Sequence, residues 1–197
     1  MTTISSEPGP AGPPPATPGP GTEAKGLLFP INHIDFATQA FDTEGVERVL
    51  PHRGHMRLLD RIVWHNDGYT QAVAAKRLTD DDFWVAGHFP GQPLFPGVLQ
   101  IEAGAQLACF MFLIRQDRPY IAAFLRIENA AFRSMVAPGD ELVILGREIK
   151  FGRRRFSADI QGVVNDKIAF EAAISGMAMV PNEGTDAAIS GHGTDRG

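Results

Sequence analysis

Residues 97–115 read GVLQIEAGAQLACFMFLIR, and their reading decides the fold. Val, Leu, Ile, Ala, Cys, Phe and Met dominate, and Glu102 is the one charge before Arg115. The run is too long for a strand, and Pro96-Gly97 ahead of it is a common way to start a helix. Such a helix has little polar face to show to water, so the rest of the chain must enclose it. Glu102, Gln100 and Gln106 argue for a core helix rather than a membrane span.

The flanking sequence supplies the enclosure. Upstream, residues 42–50 predict a short helix capped by Asp42 or Thr43 and stopped by Pro51. Runs at 57–65 and 69–78 predict two strands joined at Asn66-Asp67-Gly68, a hairpin signal. Residues 88–97 (HFPGQPLFPG) hold three prolines and two glycines, which predicts an extended, rigid loop. Downstream, strand-like runs lie near 120–127, 129–136, 140–150, 154–164 and 167–180. Pro138-Gly139-Asp140 and Val164-Asn165-Asp166 mark turns between them. Phe170, Ala172 and Ile174 alternate with Glu171, Ala173 and Ser175, as in a half-buried strand. One apolar helix among many antiparallel strands predicts an α+β domain, with a curved sheet wrapped around the helix.

The chain of 197 residues suits one domain with tails. Residues 9–26 (GPAGPPPATPGPGTEAKG) offer almost nothing to bury, and a disordered Pro/Gly-rich arm is expected over 1–28. A polar, Gly-rich tail is expected over 182–197, leaving the folded domain at 29–181. A hydrophobic content of 44% is enough for a real core, and a net charge of −5 gives no electrostatic reason to expect nucleic acid. Cys109 is the only cysteine, and no stretch resembles a secretory signal or a membrane span. A cytoplasmic setting is expected.

Three elements near the central helix bear chemistry. Glu102 is a lone carboxyl among apolar residues, where burial would keep its proton on and suit a general acid. His88 stands at the start of the rigid loop, and a neutral imidazole is the natural base near pH 7. Gly97 opens the helix, where unpaired backbone N–H groups and the dipole favour a developing oxyanion. Glu102 lies about 7.5 Å further along at the usual helical rise. Each element has a plain structural reading: a helix-edge Glu102 reaching water beside Gln106, a capping or core His88, an ordinary helix start. Together they supply the base, oxyanion site and proton donor that deprotonate carbon α to a thioester and expel a β-hydroxyl. The rigid loop separates His88 from its own Glu102, so a pair between subunits is open.

The run GHFPGQPLFPGVLQIEAGAQLA (87–108) resembles the signature of the FabZ-type 3-hydroxyacyl-[acyl-carrier-protein] dehydratases. LPHRGHMRLLDRI (50–62) and AFRSMVAPGDEL (131–142) are similar to two further segments of that family, in the same order. The resemblance implies a hot-dog fold and a site at a dimer interface, with His88 from one subunit and Glu102 from the other. It implies that the Gly97 N–H holds the thioester oxygen, that the Leu94 carbonyl orients the His88 ring, and that Phe95 and Val98 contact substrate. Glutamate at 102, where the FabA-type dehydratase–isomerases carry aspartate, points to the plain dehydratase. Two positions depart from the pattern. Gly54-His55-Met56 replaces Tyr-Pro-Phe, and a gating tyrosine falls at Ala123, with Phe124 beside it and Tyr120 nearby.

The expected reaction is removal of water from a (3R)-hydroxyacyl thioester to give the trans-2-enoyl product, without cofactor or metal. The expected partners are an acyl carrier protein and a second copy of the chain, with a trimer of dimers implied by the resemblance. Lys150, Arg153, Arg154 and Arg155, with Arg147, form a basic cluster where an acidic carrier protein would dock; a solvated strand edge is the plain reading. His52, His55 and Asp60 match no strong metal-ligand spacing. Cys109, on a buried helix, is expected to be inert. A hot-dog thioesterase would differ by releasing free thiol, and a non-catalytic acyl-binding module by binding without turnover.

Overall fold

The computed structural model describes residues 26–118 and 120–179. The arm expected over 1–28 lies outside the described residues up to 25, and the tail over 182–197 lies outside them entirely.

A short helix, α1 (Thr43–Val49), opens the domain, and the Asp42 carboxylate caps it by accepting from the Gly45 N–H at 2.8 Å. Two strands follow, β1 (Arg61–His65) and β2 (Gln71–Arg77), and then the central helix α2 (Gly97–Leu113). Four more strands complete the chain: β3 (Ile121–Phe132), β4 (Glu141–Phe151), β5 (Arg155–Val164) and β6 (Lys167–Met179). All pair antiparallel in one sheet of order β1-β2-β4-β5-β6-β3. The sheet wraps α2, which is the hot-dog arrangement.

The turns fall where their chemistry puts them. Asn165 and Asp166 both adopt positive φ (47° and 63°), the geometry a two-residue hairpin between β5 and β6 requires. The Asn66 side-chain oxygen accepts from the N–H groups of Thr70 and Gln71 and closes the β1–β2 turn. One expectation changes. Residues 121–132 of the runs at 120–127 and 129–136 form a single strand, β3, which stays paired to β6 through a register shift between Glu128 and Ala131, and residues 133–136 lie outside the strand. Asn129, at φ 53°, sits in that irregularity.

Twelve of the seventeen α2 residues are buried, and Phe110, Leu107 and Met111 are almost wholly enclosed. Each such side chain contributes about 1.5–3 kcal/mol. The helix lies close on the sheet at Gly104, where a Cβ would sit 2.5 Å from the Ile160 Cδ1 on β5. On β6, Phe170, Ala172 and Ile174 face this core as the alternation predicts.

A second core covers the other face of the sheet. Phe29, Ile31 and Ile34 pack with Val63, Val73, Val143, Leu145 and Val163. Buried Gln161 fastens this segment: its amide donates to the Gly26 carbonyl at 3.0 Å and accepts from the Leu28 N–H at 3.1 Å.

Candidate active site

The loop before α2 fixes the His88 ring. The His88 N–H donates to the Trp84 carbonyl at 2.9 Å, and the Leu94 N–H returns to the His88 carbonyl at 2.7 Å. Phe95 anchors the far end of the loop, buried against Trp84 and donating its N–H to the Val136 carbonyl at 2.7 Å. The His88 Nδ1 lies 2.8 Å from the Leu94 carbonyl oxygen. A carbonyl can only accept, so Nδ1 carries the hydrogen and Nε2 keeps a free lone pair in the neutral ring. Phe89 stacks on the ring with centroids 4.1 Å apart.

Glu102 projects from the second turn of α2 into a cavity of about 170 Å³. Ala122, Ala123 and Phe124 of β3 and Ser175 of β6 form its wall, with Phe156 and Ile174 among its apolar lining. The carboxyl is half-buried and held from one side. Gln106, one turn along, donates its Nε2 to Glu102 Oε1 at 2.9 Å and to the Met56 carbonyl at 2.8 Å. The Gln106 Oε1 accepts from the Leu58 N–H at 3.0 Å. These contacts fix which end of the amide faces the carboxyl. His52 comes in from the segment before β1, with its Nε2 3.6 Å from Glu102 Oε1. Burial lowers the His52 pKa, Glu102 pulls it back up, and Arg53 adds to the lowering. Cys109, on the same cavity, has its thiol pushed up to about 12, chiefly by burial and then by the Glu102 charge.

His88 does not line this cavity, and among the described residues no contact joins it to Glu102 within one chain. Gly97 starts α2 with the Phe132 ring against it, so a Cβ there would sit 2.8 Å from the ring. Val98 is 76% exposed beside it, whereas the Phe95 side chain belongs to the core. Ala123 lines the cavity where the resemblance expects a gate, and Tyr120 is engaged by Arg118, whose Nε donates to its hydroxyl at 2.7 Å.

The three residues weighed for a metal do not meet. Asp60 pairs with Lys76 and accepts from the Arg77 N–H, His55 packs on Phe83, and His52 faces Glu102. In the basic cluster, Arg147 is occupied by Asp159 and the Leu28 carbonyl. Lys150, Arg153, Arg154 and Arg155 are exposed, and Lys150 and Arg155 border a surface groove with Arg126, Leu125 and Ile149. No helix among the described residues is long and apolar enough to cross a membrane.

Sequence reasoning missed how Glu102 is held. The i, i+4 spacing of Glu102 and Gln106 was a readable signal. His52, fifty residues upstream, gave none, because only the tertiary fold brings it there.

The FabA-like domain family matches residues 50–173 of the chain. A relative from Bartonella quintana (strain Toulouse), 3-hydroxyacyl-[acyl-carrier-protein] dehydratase FabZ, is 41% identical over 131 residues, covering 64% of this chain and 84% of the relative. The protein of the same name from Brucella abortus (strain S19) is 38% identical over 151 residues, covering 74% and 93%. Among solved structures, the dehydratase heterocomplex ApeI:P from Xenorhabdus doucetiae superposes with a TM-score of 0.60 at 16% identity, covering 75% of this chain and 97% of that one. That likeness bears on the fold alone.

Proposed function

The chain belongs to the FabA-like family, among the FabZ-type 3-hydroxyacyl-[acyl-carrier-protein] dehydratases, and on that premise we propose that it dehydrates (3R)-hydroxyacyl carrier-protein thioesters to trans-2-enoyl thioesters. The reaction belongs to fatty acid or related acyl-chain biosynthesis, in the cytoplasm. The observation that carries the residue assignment is the pair of fixed side chains. The His88 ring is locked with Nε2 free, and Glu102 is a carboxyl held at one oxygen over a largely apolar cavity.

His88 Nε2 takes the proton from the carbon α to the thioester. The electrons form the C=C bond, the β C–O bond breaks, and Glu102 protonates the departing oxygen as water. The Gly97 N–H steadies the thioester oxygen while it carries enolate charge. Phe95 holds the loop in place from within the core, and Val98 presents an apolar surface to the substrate. At the end of the turnover His88 holds the α-proton, and Glu102 has lost its own to the departing water; solvent then carries a proton from His88 back to Glu102.

The acting unit is a homodimer, with a trimer of dimers as the larger assembly. β3 is an edge strand exposing Phe124, Leu125 and Ile127, a surface that pairing with a second β3 would cover. Phe89, Val98 and Met135, near the start of α2, are also exposed. Pairing at β3 brings the partner's His88 loop against the cavity that β3 walls. The carrier protein docks on Lys150, Arg153, Arg154 and Arg155, beside the groove that borders β3.

The test is an assay of the purified protein on a 3-hydroxyacyl carrier-protein substrate, beside His88→Ala and Glu102→Gln. Each variant should lose about 10²–10⁴-fold in kcat. Full activity in both would overturn the residue assignment. Release of free thiol instead of enoyl product would make the protein a thioesterase, and tight acyl binding without turnover would make it a binding module.

A further inference from the structure

His52 reaches Glu102 from outside the helix, and its two ring nitrogens stand in different surroundings. Nδ1 is buried and has no hydrogen-bond partner among the described residues. Nε2 lies 3.6 Å from Glu102 Oε1, a few tenths of an ångström beyond a hydrogen bond. A buried N–H without an acceptor is rarer and costlier than a buried bare lone pair. The neutral ring therefore carries its hydrogen on Nε2, aimed at the carboxyl. Burial favours that neutral ring over the imidazolium.

Gln106 approaches the same oxygen. Its own Oε1 is taken by the Leu58 N–H, so only its NH₂ can face Glu102. Oε1 thus accepts from the Gln106 amide and has the His52 Nε2 3.6 Å away, while Oε2 has no hydrogen-bond partner among the described residues. An oxygen that already accepts from Gln106 and faces the His52 N–H is the less favoured place for a proton of its own.

We propose that His52 is a positioning residue for Glu102: its Nε2–H, together with the Gln106 amide, reserves Oε1 as an acceptor and places the transferable proton on Oε2. The proposal rests on Glu102 being the acid, as argued above. When Glu102 gives its Oε2 proton to the leaving hydroxyl, the resulting carboxylate keeps both donors on Oε1. The proton is then presented from one oxygen in every turnover. Without His52, Gln106 alone holds the carboxyl, and the two oxygens exchange roles more freely.

The test compares His52→Leu and His52→Gln with the wild type in steady-state dehydration, with Glu102→Gln alongside. Leucine keeps bulk but removes the N–H, whereas glutamine carries its NH₂ near the place of the imidazole Nε2. His52→Leu should lose about 10- to 100-fold in kcat with KM within about twofold, and His52→Gln should recover most of the loss. Wild-type kcat in His52→Leu would overturn the proposal, and so would equal losses in the two variants, which mark a packing role. If His52→Leu does not fold, His52→Asn replaces it: its shorter amide misses Oε1, and wild-type kcat there overturns the proposal. Full activity in Glu102→Gln would instead remove the assignment of the acid, on which this proposal stands.

Discussion

Burial holds the imidazole of His52 neutral against the upward pull of Glu102, and the Arg53 charge works in the same direction as burial. The folded-state pKa therefore lies below the unfolded value of 6.5. The native state binds fewer protons there than the unfolded chain. Its stability is fully present above about pH 6.5 and falls as pH drops toward the folded pKa. His52→Gln lacks the titration, so the wild-type Tm should fall further than that of the variant between neutral pH and about pH 5. Parallel losses in a thermal melt series would contradict this. Glu102 was legible in the sequence because a lone carboxyl in an apolar helix stands out. Its restraint was legible only in part: Gln106 lies one helical turn away, but His52 is adjacent only after folding. The free Nε2 of His88 depends on the Leu94 carbonyl, a contact no spacing rule supplies and the family resemblance implied.

The pairing of α2 with the sheet depends on small residues as much as large ones. Gly104 lets the helix lie against Ile160 of β5, with a would-be Cβ only 2.5 Å from the Cδ1. Gly104→Val should force the helix and β5 apart and cost about 1–3 kcal/mol, read as a lower urea midpoint. An unchanged midpoint would mean that the contact yields freely. The start of α2 was readable near Gly97, since Pro96-Gly97 and the apolar run point there. β3 read as two runs, 120–127 and 129–136, because the ladder to β6 that carries it through is a long-range pairing that the local sequence does not show. The second core was not readable as such. Residues 26–36 (GLLFPINHIDF) are apolar and read as the start of the folded domain, but nothing local says which face of the sheet they cover until Gln161 and the apolar outer face of β2 and β4 hold them.

Across the whole molecule, the net charge of −5 gave no electrostatic reason to expect nucleic acid as the main partner, and the enclosed helix pointed to the fold. A single chain nevertheless divides the proposed catalytic pair, with His88 outside the cavity that holds Glu102. The edge strand β3 walls that cavity on one side and exposes Phe124, Leu125 and Ile127 on the other. Both facts support the proposed site completed by a second copy, with the dimer as the proposed unit of catalysis. The direct measurement mixes His88→Ala and Glu102→Gln chains, each nearly inactive alone, by unfolding and refolding them together at equal amounts. Half of the re-formed dimers are then mixed, and each mixed dimer holds one site with both native residues. Dehydration should return to about a quarter of the wild-type rate. Folded, dimeric mixtures that stay as inactive as the separate variants would contradict a site shared between subunits.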